Sequence, residues 1–217
     1  AQFAKSYVHN IPIVFTAITD PLSAGLVDKI GSKSTMVGSS DKQDLSIMLN
    51  NARHLIPRLK TIGLMYSTKE SNDKALLEMM VKSAEKVGIN VLSVAINEAR
   101  DIPMALCKFK GKVDLIYVGA SGPIQPALPL IAHESKRMGI PVLNMNETAV
   151  KEHKVLASFG VDYNKVGRNA GSLVASLLKG QDLTSLTTIY PKAEDHRSLI
   201  SRKQLEFFGL SLPEELS

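Results

Sequence analysis

Apolar residues in this chain gather into short runs, and these alternate with stretches that repeat every three to four residues. Thr61-Ile62-Gly63-Leu64-Met65-Tyr66 ends at Ser67-Thr68, and Val113-Asp114-Leu115-Ile116-Tyr117-Val118 ends at Gly119-Ala120-Ser121-Gly122. Ile140-Pro141-Val142-Leu143 ends at Asn144-Met145-Asn146-Glu147-Thr148. Near-continuous apolar runs predict strands buried on both faces of a parallel sheet. Open parallel sheets bind ligands just beyond the carboxyl ends of their strands, so these polar clusters mark a candidate small-molecule site.

The remaining pattern predicts an α/β order throughout. Residues 11–19 read as a strand. Asp20 reads as an N-cap before Pro21, opening a helix over 21–30 that Gly31 ends. Residues 36–38 are a short extended piece, and Asp41 is positioned to cap the next helix. In that helix Leu45, Met48, Leu49, Ala52, Leu55 and Ile56 share one face, and Pro57 stops it. A helix over 72–87 turns Leu76, Met79, Met80, Ala84 and Val87 inward, with Gly88 after it. A strand over 89–96 and a short helix over 102–109 follow. A helix over 124–138 turns Ile124, Leu128, Ile131, Ser135 and Met138 inward. Residues 148–153 form a short helix and 155–161 are extended. The helix over 164–179 is rich in small residues (Ala170, Gly171, Ser172, Ala175, Ser176) and is expected to pack closely on a neighbour. The tail holds an extended 187–190, a strand near 199–200 and a last helix ended by Gly209.

Composition narrows the function classes. At 217 residues, 44% hydrophobic and 22% charged, the chain is an ordinary globular sequence with enough length for a packed core. No apolar run approaches the ~18 residues of a membrane span. The net charge of +5 is scattered over helix faces, which argues against a nucleic-acid footprint. Cys107 stands alone, so no intrachain disulfide forms, and its surroundings predict a small core residue. No nucleophile elbow, phosphate loop or dinucleotide fingerprint occurs, and the five histidines show no metal spacing. Neither catalysis, a cofactor nor a metal is therefore expected. The first residues, Ala1-Gln2-Phe3-Ala4-Lys5, do not read as a signal peptide.

Several segments in order resemble one family. They are Ile11-Pro12-Ile13-Val14-Phe15-Thr16-Ala17-Ile18-Thr19-Asp20-Pro21 with Ala24-Gly25-Leu26-Val27, and the Ile62-Gly63-Leu64-Met65-Tyr66 strand. Phe159-Gly160-Val161-Asp162-Tyr163 with Val166-Gly167-Arg168 and Lys179-Gly180 complete them. Together they are similar to the tryptophan/tyrosine-type substrate-binding proteins of ABC transporters, in the type I periplasmic-binding superfamily. The resemblance implies an α/β protein of two lobes, parallel sheets flanked by helices, closing by a hinge on an amino-acid-like ligand. It also implies an ABC permease as partner and a periplasmic or lipoprotein setting. Mapped here, lobe one comprises residues 1–57 and 162–188, and lobe two 58–161 and 189–217. The effector-binding core of a bacterial transcription regulator shares this architecture and is the alternative; it calls for a helix-turn-helix upstream.

Two departures from the family stand out. Family members begin with a further strand–helix–strand–helix portion of lobe one, so lobe one is expected to be incomplete here. After Val118, Gly119-Ala120-Ser121-Gly122 stands where the family places a more polar turn, which removes a carboxylate or amide from the pocket.

Candidate ligand contacts follow from strand ends. Thr16, Thr19 and Asp20 end the first strand; Asp20 either holds an ammonium or simply caps a helix. Tyr66 offers a ring for stacking, with Ser67, Glu70 and Asn72 as polar partners or as turn chemistry. Ser121 and Gly122 allow close backbone approach or form a turn. Asn144, Asn146 and Glu147 divide between capping and contact. Asp162 and Tyr163 lie at the expected hinge, where Asp162 can equally cap a helix. A chain lacking part of lobe one carries an unpaired sheet edge and an exposed apolar face, and is expected to self-associate. Sedimentation showing a well-behaved monomer with high ligand affinity would refute that expectation.

Overall fold

The computed structural model describes residues 1–28, 36–120 and 122–216. Contacts divide the chain into two compact units, residues 1–43 with 161–196 and residues 44–160 with 197–217.

In the first unit, β1 (Ile13–Thr16) and β2 (Met36–Ser39) form a two-stranded parallel sheet, in register Ile13↔Met36 through Thr16↔Ser39. Phe15 pairs with Gly38, and the pairing works because Gly38 has no side chain. A Cβ there would lie 2.2 Å from the Phe15 carbonyl oxygen and 2.3 Å from its ring. Ile189 continues the sheet beyond β2 through a parallel bridge to Ser39. α1 (Gln2–Tyr7) precedes β1, with Phe3 and Tyr7 exposed and their rings 4.4 Å apart. α7 (Tyr163–Leu178) packs on both strands and buries Val166, Ala170 and Leu173. Phe15, Leu26, Val27 and Met36 form the small core.

One expectation fails in this unit and another holds only in part. The helix over 21–30 is, within the described residues, a single turn. Ala24 N–H reaches Asp20 and Leu26 N–H reaches Pro21, after which Gly25 turns left-handed at φ 66°. Residues 29 and 30 of that helix, and Gly31, lie outside the described residues. Of the small-residue stripe of α7, Ala170 packs inward against the sheet, while Gly171, Ser172 and Ala175 are exposed and nothing lies within 4 Å of a Cβ at Gly171. The helix is held by Val166, Ala170 and Leu173 together.

The second unit is built on a six-stranded sheet. It contains β3 (Thr61–Ser67), β4 (Asn90–Ile96), β5 (Leu115–Val118), β6 (Val142–Asn144), β7 (Ala157–Val161) and β8 (His196–Ile200), in the order β4-β3-β5-β6-β7-β8. β3 to β7 pair in parallel. Ser201 N–H donates to Leu156 O and Asp162 N–H to Asp195 O, so β8 runs antiparallel at the edge. Side chains alternate between faces with period two. Ile62, Leu64, Leu115, Tyr117 and Leu143 meet α2 (Leu45–Leu55), α3 (Ser71–Lys86) and α8 (Arg202–Phe208). Met65, Ile116, Val118 and Val142 meet α4 (Ile102–Phe109), α5 (Leu128–Arg137) and α6 (Glu147–Lys151). Both faces are thus covered, which is why β3 and β5 read as unbroken apolar runs.

Three further readings are corrected. Asp41 does not cap α2; Asp44 does, its Oδ1 accepting from Ser46 N–H at 2.9 Å. Residues 44–57, expected in lobe one, join the second unit, because Leu45, Met48, Leu49, Ala52 and Leu55 pack into its core. Cys107 is exposed on α4, whose buried face is Ile102, Ala105, Leu106 and Phe109.

The Phe15–Gly38 contact yields a prediction. Gly38→Ala forces a methyl against backbone, which cannot swing aside, and should destabilise the first unit by about 2–3 kcal/mol. Urea denaturation of the variant checks this; an unchanged midpoint would mean that the strands separate without cost.

Candidate functional site

In the second unit the polar residues expected at strand ends are mostly engaged by backbone. Ser67 is buried at the end of β3; its N–H donates to Asp73 Oδ2 at 2.6 Å, and its Oγ accepts from Lys69 N–H at 3.3 Å. Thr68 Oγ1 donates to Asn97 Oδ1 at 3.1 Å, tying the ends of β3 and β4 together. Tyr66 is half-buried and Asn72 is exposed in the first turn of α3. Glu70 precedes α3 without a side-chain capping bond, and its Oε1 would lie 3.2 Å from a Cβ on Gly122. The β3 and β5 loops are thereby brought together. Ser121 lies outside the described residues.

At β6, Asn144 is buried and hydrogen-bonded through both amide atoms. Its Oδ1 accepts from Asn146 N–H at 2.9 Å, which fixes the amide orientation. Its Nδ2 then donates to Val118 O at 2.7 Å and Gln125 Oε1 at 2.9 Å. Asn144 therefore positions the β5 and β6 loops and has no amide hydrogen left to donate to a ligand. Asn146 caps α6 through Thr148 N–H, and Glu147 pairs with Lys151 at 3.4 Å and Arg197 at 3.5 Å.

The first unit presents its own group beyond β1 and β2. Thr16 ends β1 exposed, and Ala17 adopts a left-handed φ of 53°, an uncommon conformation for a residue with a side chain. Thr19 O accepts from Ser40 Oγ at 3.1 Å. Asp20 takes the capping role: Oδ1 accepts from Ser23 N–H at 3.0 Å, and Oδ2 pairs with Lys42 Nζ at 3.2 Å. Burial works to raise the Asp20 pKa, but the Ser23 backbone bond and the Lys42 ammonium outweigh it and hold the carboxyl below its ordinary range. Tyr190 stands near enough to feel that charge; burial first, then Asp20, pushes its phenol upward. Asp162 caps α7 through Asn164 N–H at 2.9 Å. The Tyr163 hydroxyl donates to Asp41 Oδ2 at 3.1 Å.

The sequence reading gave Asp41 only as a helix cap and missed Lys42, Asp73, Gln125 and Tyr190. The Ser39-Ser40-Asp41 run after a short extended piece repeats the strand-then-polar signal seen at Ser67 and Asn144, and could have pointed to Asp41. Nothing local marks Gln125 or Tyr190, whose neighbours come from distant segments.

The whole chain, residues 1–217, matches the family model described as ABC transporter substrate binding protein. The chain belongs to this family. It is 32% identical over 184 residues to the tyrosine-binding protein of Clostridioides difficile (strain R20291), covering 84% of this chain and 53% of that protein. The chain thus spans about half the length of that curated relative. A solved ABC domain in complex with L-Trp, from Streptococcus pneumonia, superposes with a TM-score of 0.89 at 26% identity, covering 99% of this chain and 72% of that one. A LacI family transcriptional regulator from Mycobacterium smegmatis, 12% identical over 92% of this chain and 81% of its own, shares the fold with a TM-score of 0.58. That likeness concerns fold alone, so the regulator alternative is not favoured. The relatives are binding proteins, and the type I periplasmic-binding-like α/β fold is established.

Asp20 gives the pH prediction for this family member. Its folded pKa is depressed, so its contribution is present above the unfolded value of about 3.9 and is lost as pH falls through the folded value. Asp20→Asn keeps a capping oxygen but loses the ion pair and should cost about 0.5–1 kcal/mol at pH 7. The difference from wild type should shrink toward pH 3. Denaturant titrations at the two pH values test this, and a difference independent of pH would contradict it.

Proposed function

We propose that this chain captures an aromatic amino acid outside the cytoplasmic membrane and delivers it to the permease of an ABC importer, without chemical change. The observation that carries this reading is the family match along all 217 residues. Support for an aromatic ligand comes from relatives described by tyrosine binding and by an L-Trp complex. The strand ends supply fitting chemistry. Half-buried Tyr66 offers a ring face, while Ser67, Glu70, Gly122 and Asn146 surround the ends of β3, β5 and β6 as candidate contacts. Thr16, Thr19 and Tyr163 are the corresponding candidates of the first unit. Asp20, Asp162 and Asn144 enter as residues that hold the loops in place. Attachment to the membrane as a lipoprotein belongs to the same proposal. No helix of the described residues is long and apolar enough to cross a membrane.

Calorimetric titration tests the reading with L-tyrosine, L-tryptophan and L-phenylalanine, and L-glutamate as control. Saturable binding of an aromatic amino acid is expected, with about 2.7 kcal/mol of stabilisation at a hundredfold excess over Kd. Failure of every amino acid to bind or stabilise the chain would reject it.

A further inference from the structure

Ser39 ends β2 completely buried, and Asp41 follows two residues later at 6% exposure. Tyr163 donates its hydroxyl to Asp41 Oδ2 at 3.1 Å. The other carboxylate oxygen, Asp41 Oδ1, is buried without any hydrogen-bond partner among the described residues, and so is Ser39 Oγ. The cation nearest in sequence, Lys42, is committed elsewhere, at 3.2 Å from Asp20. Thr16 stands beside Ser39 in the strand register.

A buried carboxylate oxygen with no donor is among the more costly arrangements a protein can hold. It becomes favourable when a donor arrives from outside the chain, above all a charged one. We infer that Asp41 Oδ1 and Ser39 Oγ receive the primary ammonium of the ligand. An ammonium has three N–H donors and no acceptor, which matches one carboxylate oxygen and one hydroxyl oxygen left over by the fold. The Tyr163 bond occupies Oδ2 and holds the carboxylate plane, so Oδ1 is the atom left for the ligand. The same charge repels a carboxylate, so the ligand's acid group is held away from Asp41. The inference rests on the amino-acid reading and deepens it: the site selects α-amino acids over the corresponding desamino acids.

Titration compares L-tyrosine and L-tryptophan with 3-(4-hydroxyphenyl)propanoate and 3-(indol-3-yl)propanoate on wild type and Asp41→Asn. The variant should bind the two amino acids about 30-fold more weakly or worse, and the two desamino acids as wild type does. Equal losses for both classes, or no loss for the amino acids, overturn the inference. A second readout needs no ligand. The Asp41→Asn amide still offers an oxygen to Tyr163 and removes an unpaired buried charge, so the ligand-free variant should melt several degrees above wild type. A lower melting temperature would mean that the chain or its solvent already neutralises Asp41, and would overturn the receptor role. Stabilisation of wild type, but not of Asp41→Asn, by Na⁺ or K⁺ would assign the site to a metal cation and overturn it as well. Should wild type bind none of the four aromatic compounds, the aromatic-ligand reading fails separately. The ammonium receptor then stands only if primary amines such as tyramine stabilise wild type and not the variant, and falls if they do not.

Discussion

Strands of a parallel sheet begin and end in backbone groups that no neighbouring strand can pair, and buried groups of that kind must find a partner. The loops of this molecule are organised around that demand. At the start of β3, Asp114 Oδ2 accepts from both Lys60 and Thr61 N–H at 2.9 Å. At its end Asp73, 3% exposed, takes Ser67 N–H at 2.6 Å. Asn144 closes the β5 and β6 ends, and Asp20, Asn146 and Asp162 cap the turn or helix that follows them. Each such bond fixes a loop that would otherwise be free to move, so the rim of each sheet is set by its own strand ends.

This demand sorts the polar residues. A side chain whose oxygens are already occupied by backbone donors has little left for a ligand, whatever its place on the rim. By that measure Asp20 and Asn144 are parts of the scaffold, with their polar atoms engaged. At the strand ends, among the described residues, the buried side chains with unmatched oxygens are Ser39 and Asp41. Chemistry open to a ligand is found by subtraction, after the backbone has been served.

Most of the fold was legible in the sequence, and for a definite reason. The apolar runs at Ile62 and Leu115 had no polar alternation, as a doubly covered parallel sheet calls for, and α2 buries Leu45, Met48, Leu49, Ala52 and Leu55 as the periodicity required. Readings failed where a tertiary choice overrode local pattern. Pro21 after Asp20 marks a helix start as well as it marks a turn, and Gly25 in the left-handed region ended it within one turn. Asp41 and Asp44 are equally good caps on paper; the choice of Asp44 released Asp41 for burial. Cys107 sits one residue past Leu106, and that step carries it from the apolar face of α4 to the exposed one. The candidate site was legible as a location, at strand ends. It was not legible residue by residue, because a sequence lists polar groups without saying which ones the backbone has consumed.

The placement of Asp41 traces back to an apolar contact. Phe15 lies over Gly38, and any side chain at position 38 would collide with it, so only one register of β1 on β2 brings ring and gap together. A slip of one residue would set Phe15 against Val37 or Ser39 and turn the strand's faces over. The register that seats Phe15 also sets Ser39 beside Thr16, and Asp41 two residues beyond, within reach of the Tyr163 hydroxyl at the start of α7. α7 in turn packs on the same two strands. An aromatic ring on a glycine therefore decides where a carboxylate is buried. Packing energy that has nothing to do with a ligand is what can hold an unpaired acceptor in place until one arrives.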